Sequence, residues 1–181
     1  MEQNELTLLL PQWTSKLTTR SGASLRVRPA SPEDRDKVGK FLQSVDAGDL
    51  RFRFLSSVKP SEAIARILTD VDHSKVEDLI AFDANDDSIA ATAMIAESDS
   101  PKVAEAAVLV RSDLKNRGIG WAMLTEACNY AQAKGFRRIE CIESSSNLKA
   151  IELEEEQGFV ARVHPGNATI TILSKSLAFD A

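Results

Sequence analysis

Hydrophobic positions recur along this chain with two periods, and the switches between them mark its elements. Ser24 to Arg28 sets Leu25 and Val27 against polar neighbours, the period of a half-buried strand. Trp13 to Thr19 before it reads as the other arm of a hairpin turned at Arg20, Ser21 and Gly22. Ser31-Pro32-Glu33-Asp34 then carries three helix-start signals: a capping hydroxyl, a proline at the first helical position and acids that complement the dipole. This first helix is expected to run to about Val45. A short second segment, Asp49 to Leu55, alternates aromatics and arginines, and a third helix starts from a cap at Ser61 and carries Ala65, Ile67 and Leu68.

Asp78 to Phe82 and Ser88 to Ile95 are apolar runs around the turn-forming stretch Asp83 to Asp87, so they read as an antiparallel hairpin. An apolar strand follows from Val103, then a helix from Gly118 to Lys134 that Gly135 ends. Arg138 to Glu143 is a strand, Asn147 to Gln157 a helix ended by Gly158, and Phe159 to Val163 and Ala168 to Leu173 two strands about the turn at 165–167. The order implies an α+β fold, with a mixed, mostly antiparallel sheet, flanking helices and one βαβ crossover. A ligand is expected where the two strands of the crossover splay apart, at the N-terminus of its helix.

Length and charge narrow this picture. The 181 residues suffice for one domain, taken as 13–181, with 1–12 as a flexible lead-in able to lay Leu8 to Leu10 on it. A net charge of −5, with no basic stripe, argues against nucleic acid as a partner and suits a cationic one. The run from Leu6 to Leu10 is too short to span a membrane, and Glu2 and Glu5 are wrong for a signal peptide, so no membrane partner and a cytoplasmic location are expected. Cys128, Cys141, His73 and His164 lack any metal-ligand spacing; the cysteines read as buried thiols in a reducing compartment, and no metal is expected.

The chemistry concentrates between Ala104 and Trp121. Gly118 and Gly120 let the backbone approach a ligand closely and leave the first N–H groups of a helix pointing outward, a geometry that suits an anion. Glu105 is the only charged residue between Lys102 and Arg111. It is either an exposed residue at a strand start or a functional carboxylate, because an unpaired charge in an apolar strand costs stability. Arg51 and Arg53 either line a substrate entrance or flank core Phe52 and Phe54 as solvated or salt-bridged residues. Glu152, Glu154, Glu155 and Glu156 form either a solvated face or, at Glu154, a group that orients a cationic acceptor.

K-N-R-G-I-G at Lys115 to Gly120 resembles the Q/R-x-x-G-x-G/A motif of the GNAT superfamily of N-acetyltransferases, and N-x-x-A-x-x-L-x-x-x-x-G-F at Asn147 to Phe159 resembles its later signature. The run L-T-T-R-S-G-A-S-L-R-V-R-P-A-S-P-E-D, the R-F-R-F of Arg51 to Phe54 and A-E-A-A-V-L-V-R-S-D-L-K-N-R-G-I-G are similar to the acetyltransferase domain of Pat-type bacterial protein lysine acetyltransferases. The likeness covers about Trp13 to Leu177. It implies a GNAT fold splayed between its strands four and five, acetyl-CoA as donor, and a primary amine as acceptor, foremost a protein lysine, attacking directly in a ternary complex. A small-molecule amine acceptor and a non-catalytic acyl-CoA-binding module are the alternatives.

Residue by residue, the resemblance implies Glu105 as general base. It implies Val108, Leu109 and Val110 as the backbone rail for pantetheine, with the N–H of Val108 or Leu109 as oxyanion donor. It also implies Lys115, Asn116, Arg117, Gly118, Ile119, Gly120 and Trp121 around the pyrophosphate, and Asn147 in the cofactor site. Two positions depart from the family. Lys115 stands where Gln or Arg is usual, and Glu154 stands where many members carry a tyrosine that protonates the leaving thiolate. An ionised glutamate cannot donate a proton, so the thiolate is expected to leave unaided or through water.

Overall fold

An eight-stranded sheet in the order β1-β2-β3-β4-β5-β6-β8-β7 divides the molecule into two layers of helices. The computed structural model describes residues 13–177, and the lead-in 1–12 lies outside them. The strands are β1 Ser15–Thr18, β2 Ser24–Pro29, β3 Val76–Asp83, β4 Ile89–Glu97, β5 Val103–Val110, β6 Arg138–Ser144, β7 Val160–His164 and β8 Asn167–Ser176. The helices are α1 Arg35–Gln43, α2 Ala47–Phe54, α3 Glu62–Thr69, α4 Ile119–Ala133 and α5 Leu148–Glu156. The expected α+β order is present, and the strands called four and five above are β5 and β6.

Strand alternation decides which residues meet which layer. On β3, Ile80 and Phe82 face α1, α2 and α3, packing with Phe41, Leu42, Leu50 and Leu68, whereas Leu79 and Ala81 face the other way, toward α4. On β5, Leu109 belongs to the first cluster, and Ala104 and Ala106 to the second, under Met123 and Ala127. Every neighbouring pair of strands is antiparallel except β5 and β6, which the α4 crossover joins in parallel. That parallel pairing covers only Val103↔Arg138 to Ala106↔Cys141, while β4 accompanies β5 as far as Val110. From Ala107 onward the β6-facing edge of β5 has no strand beside it.

The start at Ser31 differs in detail from expectation. Pro32–Asp34 forms one 3-10 turn, and the α-helix begins at Arg35 and ends at Gln43, two residues short of Val45. Asp34 is 4% exposed, and its carboxylate accepts from both terminal nitrogens of Arg28 at 2.7 Å and from the Ser31 N–H at 3.0 Å. Burial pushes the Asp34 carboxyl up, but the Arg28 and Ser31 donors outweigh it and hold the group below the usual carboxylate value. This stabilisation is therefore complete above the unfolded pKa and is lost as pH falls through the folded one. Asp34→Ala, which strands a partly buried Arg28, is expected to cost about 2 kcal/mol in urea unfolding at pH 7, and much less at pH 2.

Candidate active site

The loop from β5 into α4 is shaped at three points. Ser112–Leu114 forms a 3-10 turn that plants Leu114 in the core, Asn116 takes a left-handed φ of 60°, and Gly118 one of 76°. Gly118 caps α4, whose first intrahelical bond in the loop runs from the Ala122 N–H to the Gly118 carbonyl. The N–H groups of Gly118 to Trp121 precede that bond, so they are the donors a helix start offers an anion. The β1–β2 turn buttresses the loop: Ser21 Oγ donates to the Arg117 carbonyl at 2.8 Å, and the Arg20 guanidinium lies 4.9 Å above the Trp121 ring.

A cavity of about 580 Å³ opens from this helix start through the gap between β5 and β6 and reaches α2 on the opposite layer. Val108, Leu109, Val110, Lys115, Asn116, Gly118, Ile119, Gly120, Trp121 and Asn147 all line it. Arg117 and Glu105 do not. Arg117 is exposed, and its carbonyl accepts from Ser21 Oγ. Lys115 is ion-paired to Asp49, which ties the loop to α2 at the cavity wall. A Cβ on Gly120 would stand 3.6 Å from Leu153 Cδ1 and 3.7 Å from Val110 Cγ2, so the passage between β5 and α5 is only as wide as the missing side chain allows.

Backbone register selects between the two oxyanion candidates. The Arg111 N–H donates to the Ala90 carbonyl, and antiparallel alternation then directs the N–H of Leu109 at β4 as well. The N–H and C=O groups of Val108 and Val110 point the other way, into the gap beyond the last β6 pair. Leu109 is thus excluded as a donor because β4 already occupies it, and Val108 remains.

A model of the acetyltransferase (GNAT) family matches residues 49–159. The chain belongs to the GNAT acetyltransferase family. It is 24% identical over 163 residues to the acetyltransferase PA5475 of Pseudomonas aeruginosa, covering 88% of this chain and 87% of that protein. Among solved structures it is similar to the GNAT domain of S. lividans PAT, with a TM-score of 0.83 and 22% identity over 92% of this chain and 98% of that one. It is also similar to spermidine N-acetyltransferase from Vibrio cholerae in complex with CoA and spermine, with a TM-score of 0.69 and 16% identity over 84% and 95% of the two chains. A third is a phosphinothricin acetyltransferase from Sinorhizobium meliloti in complex with acetyl-CoA, with a TM-score of 0.67 and 18% identity over 89% of each chain. As a GNAT enzyme the protein is an acetyl-CoA-dependent N-acetyltransferase.

Glu105 of this GNAT domain shares a face of β5 with cavity-lining Ala107, one two-residue step away, or roughly 7 Å along the strand. It is exposed and has no hydrogen bond or ion pair among the described residues. Burial of its stem, then the Glu140 carboxylate paired beside it on β6, then Asp99, push its carboxyl above the usual value. Glu140 is itself held near Arg138 and Arg162, at 3.3 and 3.6 Å.

The wall that α2, β6 and α5 give the cavity contains Arg53 and Glu154, both weighed above for a place beside the substrate, and Glu143, which the sequence did not single out. Arg53 lines it and donates to Met94 Sδ at 3.4 Å, whereas Arg51 is exposed; Phe52 also lines the cavity instead of filling the core. Behind Arg53 lies the wholly buried Asp78, whose carboxyl burial pushes up to about 8 despite the nearby guanidinium, with Glu77 adding to the rise. Glu143 on β6 accepts from Asn147 Nδ2 at 2.7 Å. The acidic run on α5 divides: Glu152, Glu155 and Glu156 are exposed, but Glu154 is buried and lines the cavity. Burial first, then the Glu143 charge, push its carboxyl up to about 9, so at neutral pH it is protonated. The reading of Glu154 as an ionised group, on a solvated face or beside a cationic acceptor, is corrected accordingly.

Proposed function

We propose that this GNAT enzyme acetylates lysine side chains on proteins, with Glu105 taking the proton from the attacking amine. The observation that carries the reading is the placement of Glu105: a carboxylate without an ion pair among the described residues, on an exposed face of the central strand β5, one two-residue step from the cavity lining rather than in an enclosed pocket. A surface of that kind admits a lysine that projects from a folded protein. Burial of its stem first, then Glu140 and Asp99, make Glu105 a stronger base than an ordinary carboxylate, and the neighbouring acids favour a cationic acceptor. The similarity in shape to the GNAT domain of the PAT protein supports the same reading.

In this proposal the N–H groups of Gly118 to Trp121 take the pyrophosphate of acetyl-CoA, with Asn116, Lys115 and Arg117 around it. Val108 and Val110 pair with the amides of the pantetheine arm, and the Val108 N–H receives the thioester oxygen as charge develops on it. The gap has the dimensions for this, because Gly120 leaves the throat open beside Val110 and Leu153. Free, buried Cys128 and Cys141 suit a reducing compartment and support a cytoplasmic location. Among the described residues, no helix is long and apolar enough to cross a membrane.

The acidic trio also suits a polyamine, and the similarity to a spermidine N-acetyltransferase makes this the second reading. A mass-spectrometric screen with acetyl-CoA separates the two. The expected result is Nε-acetyl-lysine on folded proteins with kcat/KM at least about tenfold above that for spermidine, a preference of about 1.4 kcal/mol in transition-state binding. Spermidine outpacing every protein tested would reverse the assignment.

A further inference from the structure

We propose that Glu154 is the general acid of the reaction and delivers its proton to the sulfur of CoA as the thioester breaks. The inference rests on the acetyl-transfer reading above and concerns the other end of the same chemistry.

Three features of the site carry it. Glu154 is 5% exposed yet lines the cavity, on the α5 wall opposite the β5 edge that bears Val108. Its Oε2 is shielded from solvent and has no hydrogen-bond partner among the described residues, so a polar atom stands unpaired in a place where such atoms are costly. Its other contacts sort the protons of the cluster. From β6, the Glu143 carboxyl and the Cys141 thiol stand beside it; burial raises the Glu143 carboxyl as well, but Asn147 Nδ2 donates to it at 2.7 Å and, from α2, Arg53 supplies positive charge toward it, and both favour its carboxylate. Of the two carboxyls, Glu143 has the donor and the cation beside it, so Glu154 is the one that keeps its proton. Burial and the Glu143 charge maintain it there across neutral pH.

A carboxyl that served packing alone would be replaceable by Gln or Leu without consequence for the chemistry. This one lines the space where the leaving group must be neutralised. The amine nitrogen bonds to the thioester carbonyl carbon, the C–S bond breaks with its electron pair on sulfur, and the Glu154 proton moves to that sulfur to give the free thiol. The acceptor ammonium gives up two protons, one to free its lone pair before attack and one from nitrogen as the C–N bond forms, and Glu105 passes them to solvent. Glu154 is reprotonated from solvent once the thiol leaves, so each turnover releases one net proton, the one the acceptor ammonium brought in. A thiol's ordinary pKa of about 8.5 and a donor near 9 are closely matched, the condition for efficient proton transfer.

The test follows CoA release from acetyl-CoA with hydroxylamine, a small nucleophile that is neutral at pH 7 and demands no acceptor pocket, as a function of pH. In the wild type, kcat is expected to fall on the alkaline side with a midpoint near pH 9, where Glu154 loses its proton. Glu154→Gln, which keeps the shape but cannot act as an acid, is expected to lower kcat at pH 7 by about 100-fold, leave the KM for acetyl-CoA within about threefold, and abolish the alkaline fall. Glu143→Gln provides a second reading that does not depend on how Glu154→Gln folds: loss of the neighbouring negative charge moves the alkaline midpoint to lower pH. A Glu154→Gln enzyme with kcat within threefold of wild type, or an alkaline midpoint unmoved in either variant, overturns the proposal. Failure of every lysine and polyamine as acceptor, with hydroxylamine-supported release intact, overturns the acceptor assignment alone.

Discussion

Glu105→Gln is expected to lower acetylation of lysine by about 100- to 10,000-fold at pH 7 while the Kd for acetyl-CoA changes less than twofold. The magnitude follows from the protonation state of the acceptor. A lysine amine with a pKa of about 10.4 is almost entirely ammonium at neutral pH, so a proton must be removed before nitrogen has a lone pair to attack with, and a second is lost as the C–N bond forms. Glutamine preserves the shape of Glu105 but has no basic oxygen. The cofactor affinity survives because Glu105 lies beyond the cavity wall rather than in it.

The same residue sets the acid limb of the pH profile. Burial and the Glu140 and Asp99 charges raise the Glu105 pKa, so the base is lost to protonation at a higher pH than an isolated glutamate would be. Glu140→Gln removes one of the like charges and is expected to move the acid limb to lower pH, a displacement read from kcat/KM between pH 4 and 8.

Gly120→Leu is expected to raise the Kd for acetyl-CoA at least about 100-fold, or roughly 2.7 kcal/mol, measured by titration calorimetry. The Cβ of Gly120 would stand in ordinary contact with Leu153 and Val110, so Gly120→Ala should cost only a few-fold in affinity. Leucine adds three further carbons at the throat between β5 and α5, in the space pantetheine requires. Neither variant introduces strain, because Gly120 lies in the first turn of α4 with ordinary helical geometry, unlike Gly118 at φ 76°. The ligand-free protein is therefore expected to melt within a few degrees of wild type, and the rise in Tm that acetyl-CoA confers is expected to vanish for Gly120→Leu.

The periods of β2, β5 and α4 made the sheet and its crossover legible in the sequence, because each carries one apolar stripe that must face a layer. Gly118 and Gly120 located the helix start for the same reason: backbone conformation there depends on the residue type itself. What sequence left open depended on elements meeting in space. Leu109 and Val108 differ as hydrogen-bond donors only through the register that sets Arg111 opposite Ala90. Arg53, Glu143 and Glu154 come from a helix, a strand and another helix that are far apart in the chain, and charge patterning within each gave no sign that they share a cavity. A local signal for Glu154 did exist. It lies three residues after Ile151 and seven after Asn147, on the stripe of α5 that turns inward, whereas Glu152, Glu155 and Glu156 fall off it.

The central claim is that the gap beyond Ala106 and Cys141 holds the donor with its thioester between Glu105 and Glu154. A crystal structure of the Glu105→Gln variant with acetyl-CoA measures this directly. The account predicts the pyrophosphate on the N–H groups of Gly118 to Trp121, and the thioester oxygen about 2.7–3.1 Å from the Val108 N–H. It also predicts the sulfur within hydrogen-bond reach of the Glu154 carboxyl, about 3–4 Å away. A thioester that ends outside the β5–β6 gap, or a sulfur turned away from α5, would contradict it.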